Sequence, residues 1–148
     1  DDCSSRGLGD VYKRQIYVHP TDNATAMPWN DNTNTSATGA TSHEDGETNS
    51  FTIELAQGSH GTPPYCAEVC RDLSAHGRSD WYLPSIEELK AIHSQSYLIS
   101  GLDHTGTFKY WSSTEVDADN AYALRMDYGA PDIDDKNDTK HNCRCVRK

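Results

Sequence analysis

The sequence predicts an α+β domain in which two helices pack on a small, mainly antiparallel sheet under long ordered loops. Three observations carry that expectation. Two stretches place apolar side chains at helical spacing, one behind Pro63 and Pro64 and the other behind Ser85 and Glu88. Two later stretches alternate apolar and polar residues over strand-length runs. Four cysteines fall as one pair in the first helical stretch and one pair at the end of the chain, where they can tie the framework together.

Taken in order, residues 1–15 (DDCSSRGLGDVYKRQ) show neither helical period nor strand alternation. The run CSSRGLGDVYKRQ looks like a translated artefact that recurs at the ends of metagenomic assemblies. The expected domain is therefore residues 16–148, with 1–15 a non-native leader and Cys3 unpaired. From Tyr17 to Thr52 the chain is dominated by Asn, Asp, Thr, Ser, Ala and Gly, a composition of loops, in which Trp29 is expected to be pinned to a surface. Phe51, Ile53 and Leu55 alternate as in a short strand. Sequons stand at Asn23, Asn34 and Asn137.

In PPYCAEVCRDLSAHG, residues Cys66, Val69, Cys70 and Leu73 fall at i, i+3, i+4 and i+7 and line one side of a helix that ends at Gly77. Next, Ser85 and Glu88 form a capping box, and Ile86, Leu89, Ile92 and His93 give the second helix its inward stripe. Trp81 and Leu83 point inward just before it, with Tyr82 exposed between them. Glu87 and Glu88 are not a catalytic pair on this reading, because neighbours on a helix diverge by about 100° and both suit a helix N-terminus. TFKYWSSTE reads as a strand with Phe108, Tyr110 and Ser112 on one side. NAYALRMDYG reads as another with Tyr122, Leu124 and Met126 inward. Gly129 and Pro131 turn the chain toward a last strand, NCRCVRK.

In that strand Cys143 and Cys145 share a face, about 7 Å apart. Two disulfides to the helical pair would close loops of roughly 75 residues, worth about 4 kcal/mol in the chain-entropy model, and would mark an oxidising compartment. Buried free thiols are an alternative. Zinc is another, although Cys143-x-Cys145 is tighter than the usual spacing of paired ligands.

Composition narrows the function classes. The chain has 148 residues, 34% of them hydrophobic, and a mean hydropathy of -0.82, which fits one modest core under polar loops. A formal net charge of -10 with no basic aromatic patch argues against nucleic acid. No apolar run reaches the length of a membrane span, so direct insertion is not expected, and any secretion signal would lie outside this stretch.

The motifs DGETNS, YCAEVC, WYLPSIEEL, YWSSTE, NAYALRMDYG and CRCVR, in that order between Gly46 and Arg147, resemble the bacterial exported domain family often called DUF1566 or Lcl C-terminal-like. The family more often has GWRLPT where this chain has SDWYLPS, so Tyr82 stands for an Arg and Ser85 for the capping Thr. The resemblance implies a C-type-lectin-like fold, related to retroelement-diversified variable proteins and to formylglycine-generating enzymes. It also implies that Cys66 faces Cys145, leaving Cys70 with Cys143.

Candidate functional residues lie in the last third. Asp119, Asn120, Tyr128, Asp132 and Asn137 are the expected ligand-binding set, because loops on a braced scaffold carry recognition and Tyr with short polar groups supplies adaptable contacts. In the resembling family this surface carries ligand contacts. Asp132, Asp134, Asp135, Asn137 and Asp138 are hard oxygen donors within seven residues, a candidate Ca²⁺ site, although without EF-hand spacing. The rival reading is a solvated acidic loop. The seven histidines are scattered, and no nucleophile elbow or phosphate-cradling glycine loop is present, so no enzyme is expected. The expected protein is a secreted, cell-surface or periplasmic binding module of bacterial or phage origin. Its partner would be a carbohydrate or a cell-surface protein. The alternatives are a structural domain of a longer surface protein and a formylglycine-generating-like oxidase using Cys143 and Cys145.

Overall fold

A computed structural model describes residues 4–5, 15–31, 36–58 and 64–148. Cys3, Asn34, Pro63 and most of the 1–15 leader lie outside the described residues. The elements run β1 (Ser4–Ser5), β2 (Ile16–Val18), β3 (Ala24–Met27), α1 (Gly46–Gln57), α2 (Cys66–Arg71), α3 (Ile86–Ser94), a 3-10 turn at Ser96–Leu98, β4 (Tyr110–Glu115), β5 (Asn120–Leu124), β6 (Pro131–Asp135), β7 (His141–Cys143) and β8 (Val146–Arg147). A three-stranded antiparallel sheet has the order β1-β2-β8, and a five-stranded sheet the order β3-β7-β4-β5-β6. In the larger sheet only β4 and β7 are parallel.

The larger sheet is covered on both faces. Trp111, Ala121 and Ala123 join Trp29, Ile53, Tyr65, Cys66, Cys70, Trp81 and Leu83 in one apolar layer. Tyr110 and Leu124, their neighbours in sequence, join Ile86, Leu89, Ile92, Tyr82, Val146 and Met126 in another. Alternating side chains of one strand thus feed two cores. That corrects the reading of Tyr82 as exposed. It is buried, its backbone exchanges hydrogen bonds with Val146, and its hydroxyl donates to Glu88 Oε2 at 2.8 Å. Ala123 is likewise inside, against the expectation that only the Tyr122 side of its strand faces the core.

There are three α-helices among the described residues where two were expected. The additional one, α1, occupies the stretch read as a Phe51–Leu55 strand. Its buried stripe is Gly46, Asn49, Ser50, Ile53 and Gln57. Four of those five are polar or glycine, while Phe51 and Leu55 are exposed. Hydrogen bonds replace apolar contact along the stripe. Ser50 Oγ donates to the Leu83 carbonyl and accepts from the Leu83 N–H. Asn49 likewise exchanges two hydrogen bonds with the backbone of Ser42. Asp45 caps the helix through the N–H of Thr48. The capping box of α3 forms as expected, and Glu88 Oε1 also accepts from the N–H of Gly46, joining the two helix starts.

Two disulfides tie α2 to the end of the chain, but with partners exchanged relative to the expected Cys66–Cys145 and Cys70–Cys143 pairs. They are Cys66–Cys143 and Cys70–Cys145, with Cα separations of 5.7 and 5.4 Å. Spacing allows either pairing, because four residues of helix rise about 6 Å and two residues of strand about 6.6 Å. Direction decides. β3 runs antiparallel to β7, placing Met27 beside His141, and the Pro28 carbonyl accepts from the Cys66 N–H at 3.2 Å. Helix α2 therefore starts at the His141 end of the last segment and runs with it. That segment is not one strand: β7 belongs to the large sheet and β8 to the small one.

Gly46 is packed against backbone that cannot give way. A Cβ there would meet Glu88 Oε1 at 2.5 Å, the Ser85 nitrogen at 2.6 Å and the Leu83 carbonyl oxygen at 2.7 Å. Gly46→Ala is therefore expected to destabilise the domain by about 1–3 kcal/mol despite the better helix propensity of Ala. A urea-unfolding midpoint equal to or above that of the wild type would contradict this packing.

Candidate functional site

The acidic stretch expected to be a loop is instead the edge strand β6, paired with β5 from Asn120↔Asp135 to Leu124↔Pro131. Alternation along β6 sorts its side chains. Pro131, Ile133 and Asp135 are exposed, whereas Asp132 and Asp134 are half-buried on the other face. There the Lys109 ammonium lies 3.1 Å from Asp132 and 2.8 Å from Asp134. Asp134 also lies 2.7 Å from His141 Nε2. Burial would raise the Asp134 carboxyl, but Lys109 and His141 outweigh it and hold the group below its usual range.

This arrangement separates the candidate calcium ligands. Asp132 and Asp134 face Lys109, Asp135 faces away, and Asn137 and Asp138 belong to the turn after β6. Among the described residues no three His, Cys, Asp or Glu side chains converge as a metal cage. A cation using Asp132 and Asp134 would have to displace the Lys109 ammonium.

The five expected ligand residues occupy different parts of the β5–β6 hairpin. Asp119, Asn120 and Asn137 lie at its open end, where the Asp119 carbonyl accepts from the Lys136 N–H. Tyr128 lies in the connecting turn, about 16 Å away along five residues of strand. Asp132 sits between the two ends on the Lys109 face. The turn is well braced. Asp127 receives two hydrogen bonds from the Arg125 guanidinium, which stacks over the Tyr128 ring at 4.5 Å from its centre. That leaves Tyr128 61% exposed with one ring face supported. Ile133, 56% exposed on the outward row, has no counterpart in the expected set. Its sign in the sequence is the alternation Pro-Asp-Ile-Asp-Asp, which reads as a strand only if the acidic residues are not taken as ligands.

Beneath the hairpin lies a buried ion pair that sequence reading missed. Lys136 Nζ donates to Glu115 Oε2 at 2.7 Å and sits 4.6 Å from the centre of the Trp29 ring. Glu115 also accepts from the N–H groups of Thr38 and Gly39. Burial works against the Glu115 carboxylate, yet Lys136 and these N–H groups hold its pKa below the usual value. Lys136 directly follows β6, so this pair anchors the open end of the hairpin to the loop at 38–40.

Chemistry at the other candidate groups is constrained. All four described cysteines of the framework are in disulfides, so Cys143 and Cys145 present no thiol. His141 is oriented by Asp134 and packs edge-on against Trp111 at 4.5 Å, but its Nδ1 is buried and meets no hydrogen-bond partner among the described residues. No helix among the described residues is long and apolar enough to cross a membrane.

The family model described as the Lcl C-terminal domain matches residues 19–147, and the chain belongs to that family. Among curated proteins none matches its sequence. Among solved structures it is similar to a fimbrial protein from Bacteroides ovatus ATCC 8483, at 18% identity and a TM-score of 0.50. The likeness covers 89% of this chain and 35% of that one, and it supports the α+β architecture alone.

Glu115→Gln is expected to cost about 3–5 kcal/mol by leaving Lys136 buried without its counter-charge, and combining it with Lys136→Met should recover most of the loss. The depressed pKa of Glu115 adds stability above its unfolded value, 4.5, that is lost as pH falls through its lower folded value. Denaturant unfolding from pH 7 to 3 should show a shallower acid loss in Glu115→Gln. Parallel pH profiles would refute this role.

Proposed function

We propose that this domain is an exported recognition module that binds a carbohydrate or a cell-surface protein through the outward row of the β5–β6 hairpin. The observation that carries the reading is the exposed set Tyr128, Ile133 and Asp135 on a hairpin braced within its turn and anchored at its open end. These side chains lie outside both cores, while Arg125–Asp127 stiffens the turn and Lys136–Glu115 holds the open end to β4. A supported aromatic ring beside short polar groups loses little conformational entropy on contact. Asp119, Asn120 and Asn137 extend the surface at its open end. Acidic character disfavours polyanions and suits a neutral sugar or a basic protein patch.

Two disulfides support an oxidising location, secreted, cell-surface or periplasmic. The finer fold reading is C-type-lectin-like, supported by the helix-flanked mixed sheet and by the terminal strands that return to β2 and β3. A second reading, a structural domain of a longer surface protein, is favoured by one observation: the matched fimbrial structure is longer, and this chain covers 35% of it.

A glycan and surface-protein array, run with and without Ca²⁺, tests the proposal. Tyr128→Ala combined with Ile133→Ser should abolish capture while leaving the melting temperature nearly unchanged, because neither side chain is packed in a core. Equal capture by variant and wild type would overturn the assigned surface. Capture that depends on Ca²⁺ would place the Asp135–Asp138 turn in the contact.

A further inference from the structure

On another part of the molecule, away from the hairpin, we propose that His19 and His76 form a binding site for a divalent first-row transition ion such as zinc. The two imidazoles belong to separately anchored segments. His19 follows β2, and its N–H donates to the Cys145 carbonyl at 2.9 Å, beside the Cys70–Cys145 disulfide. Its Nδ1 lies 3.0 Å from the Thr21 carbonyl oxygen. The Thr21 N–H also points at Nδ1, at 3.2 Å, so Thr21 engages that nitrogen from both sides; in the tautomer with the proton on Nδ1, bonded to the carbonyl, the Nε2 lone pair is left for a metal.

His76 stands on a tight hairpin. Ala75 and Arg78 exchange two backbone hydrogen bonds of 2.9 and 3.0 Å, and the two residues between them have φ values of 56° at His76 and 74° at Gly77. This is a two-residue turn with both central residues left-handed, a geometry that favours Asn-Gly. The turn itself does not require an imidazole. What the side chain adds is a ring 5.2 Å from that of His19, at 62° between planes. Trp81 packs edge-on against both rings, at 5.2 and 6.3 Å, and backs the pair.

The separation suits a shared ion. An imidazole bound at about 2.1 Å puts its ring centre about 3.2 Å from the metal, so two at a tetrahedral angle lie about 5 Å apart. Nitrogen ligands favour zinc, nickel and copper over calcium or magnesium. The ligating form is the neutral ring, and burial above all, with His76 and Arg144 beside it, lowers the His19 pKa although its bond to Thr21 opposes this. Arg144 is itself paired with Asp22 at 3.0 Å, so its charge is largely matched. Two protein ligands leave the remaining positions to water, which makes this an open, exchangeable site.

Titration of the intact chain with zinc chloride at pH 7.5, followed by calorimetry, tests the site. The wild type should bind one equivalent. His76→Asn, which retains a residue suited to the turn, should weaken binding at least tenfold with no change in the metal-free melting temperature. His104→Asn, at an exposed histidine elsewhere, should bind as the wild type does. The proposal fails if the wild type shows no saturable zinc binding, if His76→Asn binds equally well, or if His104→Asn loses as much affinity.

Discussion

Six consecutive buried residues near the end of the chain, His141 to Val146, set the terms for the rest of the structure. His141 meets Asp134 and Trp111, and the Asn142 N–H donates to the Lys109 carbonyl. Cys143 and Cys145 hold the two ends of α2. Arg144 reaches Asp22 and the carbonyls of His19 and Ser100, and Val146 pairs with Tyr82. Successive side chains point to opposite sides, so the segment can serve both apolar layers and leave one sheet for the other at Arg144. A slip of one residue would bring Arg144 to a disulfide position and a cysteine to Asp22. The register is therefore specified by covalent, ionic and packing constraints together.

Serving two layers with a modest apolar content requires polar groups inside, and their partners explain why the fold tolerates them. Ser50, Asn49, Glu115, Lys136 and Arg144 are buried, and each bonds to backbone or to an opposite charge. An unsatisfied buried polar group costs about 1–3 kcal/mol, so each such contact matters less for net attraction than for excluding arrangements that would break it. The loop around Trp29 shows the result. Its indole N–H donates to the Ser112 carbonyl, its backbone N–H to the Lys136 carbonyl, and its ring lies under the Lys136 ammonium. Within a stretch that has the composition of a linker, Trp29 thereby ties the chain to β4 and to the end of β6.

The parts of this structure legible in the sequence are those whose signals are local. The α3 capping box, the cysteine face of α2 and the alternation in β4 and β5 each specify an element within a few residues. Helix α1 was not legible because its buried face is mostly Asn, Ser, Gln and Gly, and the larger apolar side chains point to water. Tyr82 and β6 failed for a related reason. An apolar residue between two inward ones has an inside to face only when a second layer exists, and an acidic strand reads as a loop until Lys109 is placed against it. Disulfide pairing depended on the direction of α2, which rests on Pro28, far away in sequence. For the candidate site, Tyr128 was recognisable as exposed, but only the hairpin register reveals that it stands apart from Asp119 and Asn137.

The same register explains how an exposed edge can be open to a ligand without inviting a second copy. Because Arg125 bonds to Ala130 and Lys136 to Asp119, the alternating pattern turns the backbone groups of Pro131 and Ile133 toward the free edge. Pro131 offers no N–H there, which shortens the ladder any incoming strand could form. If two copies paired antiparallel about Ile133, Asp132 of each would stand opposite Asp134 of the other, and like charges directly opposite destabilise a strand pair. Lys109 neutralises only part of that charge, since it serves both carboxylates. Ile133 can therefore remain exposed at the centre of the edge. The flanking acids oppose self-association, while a neutral or cationic partner meets no such repulsion.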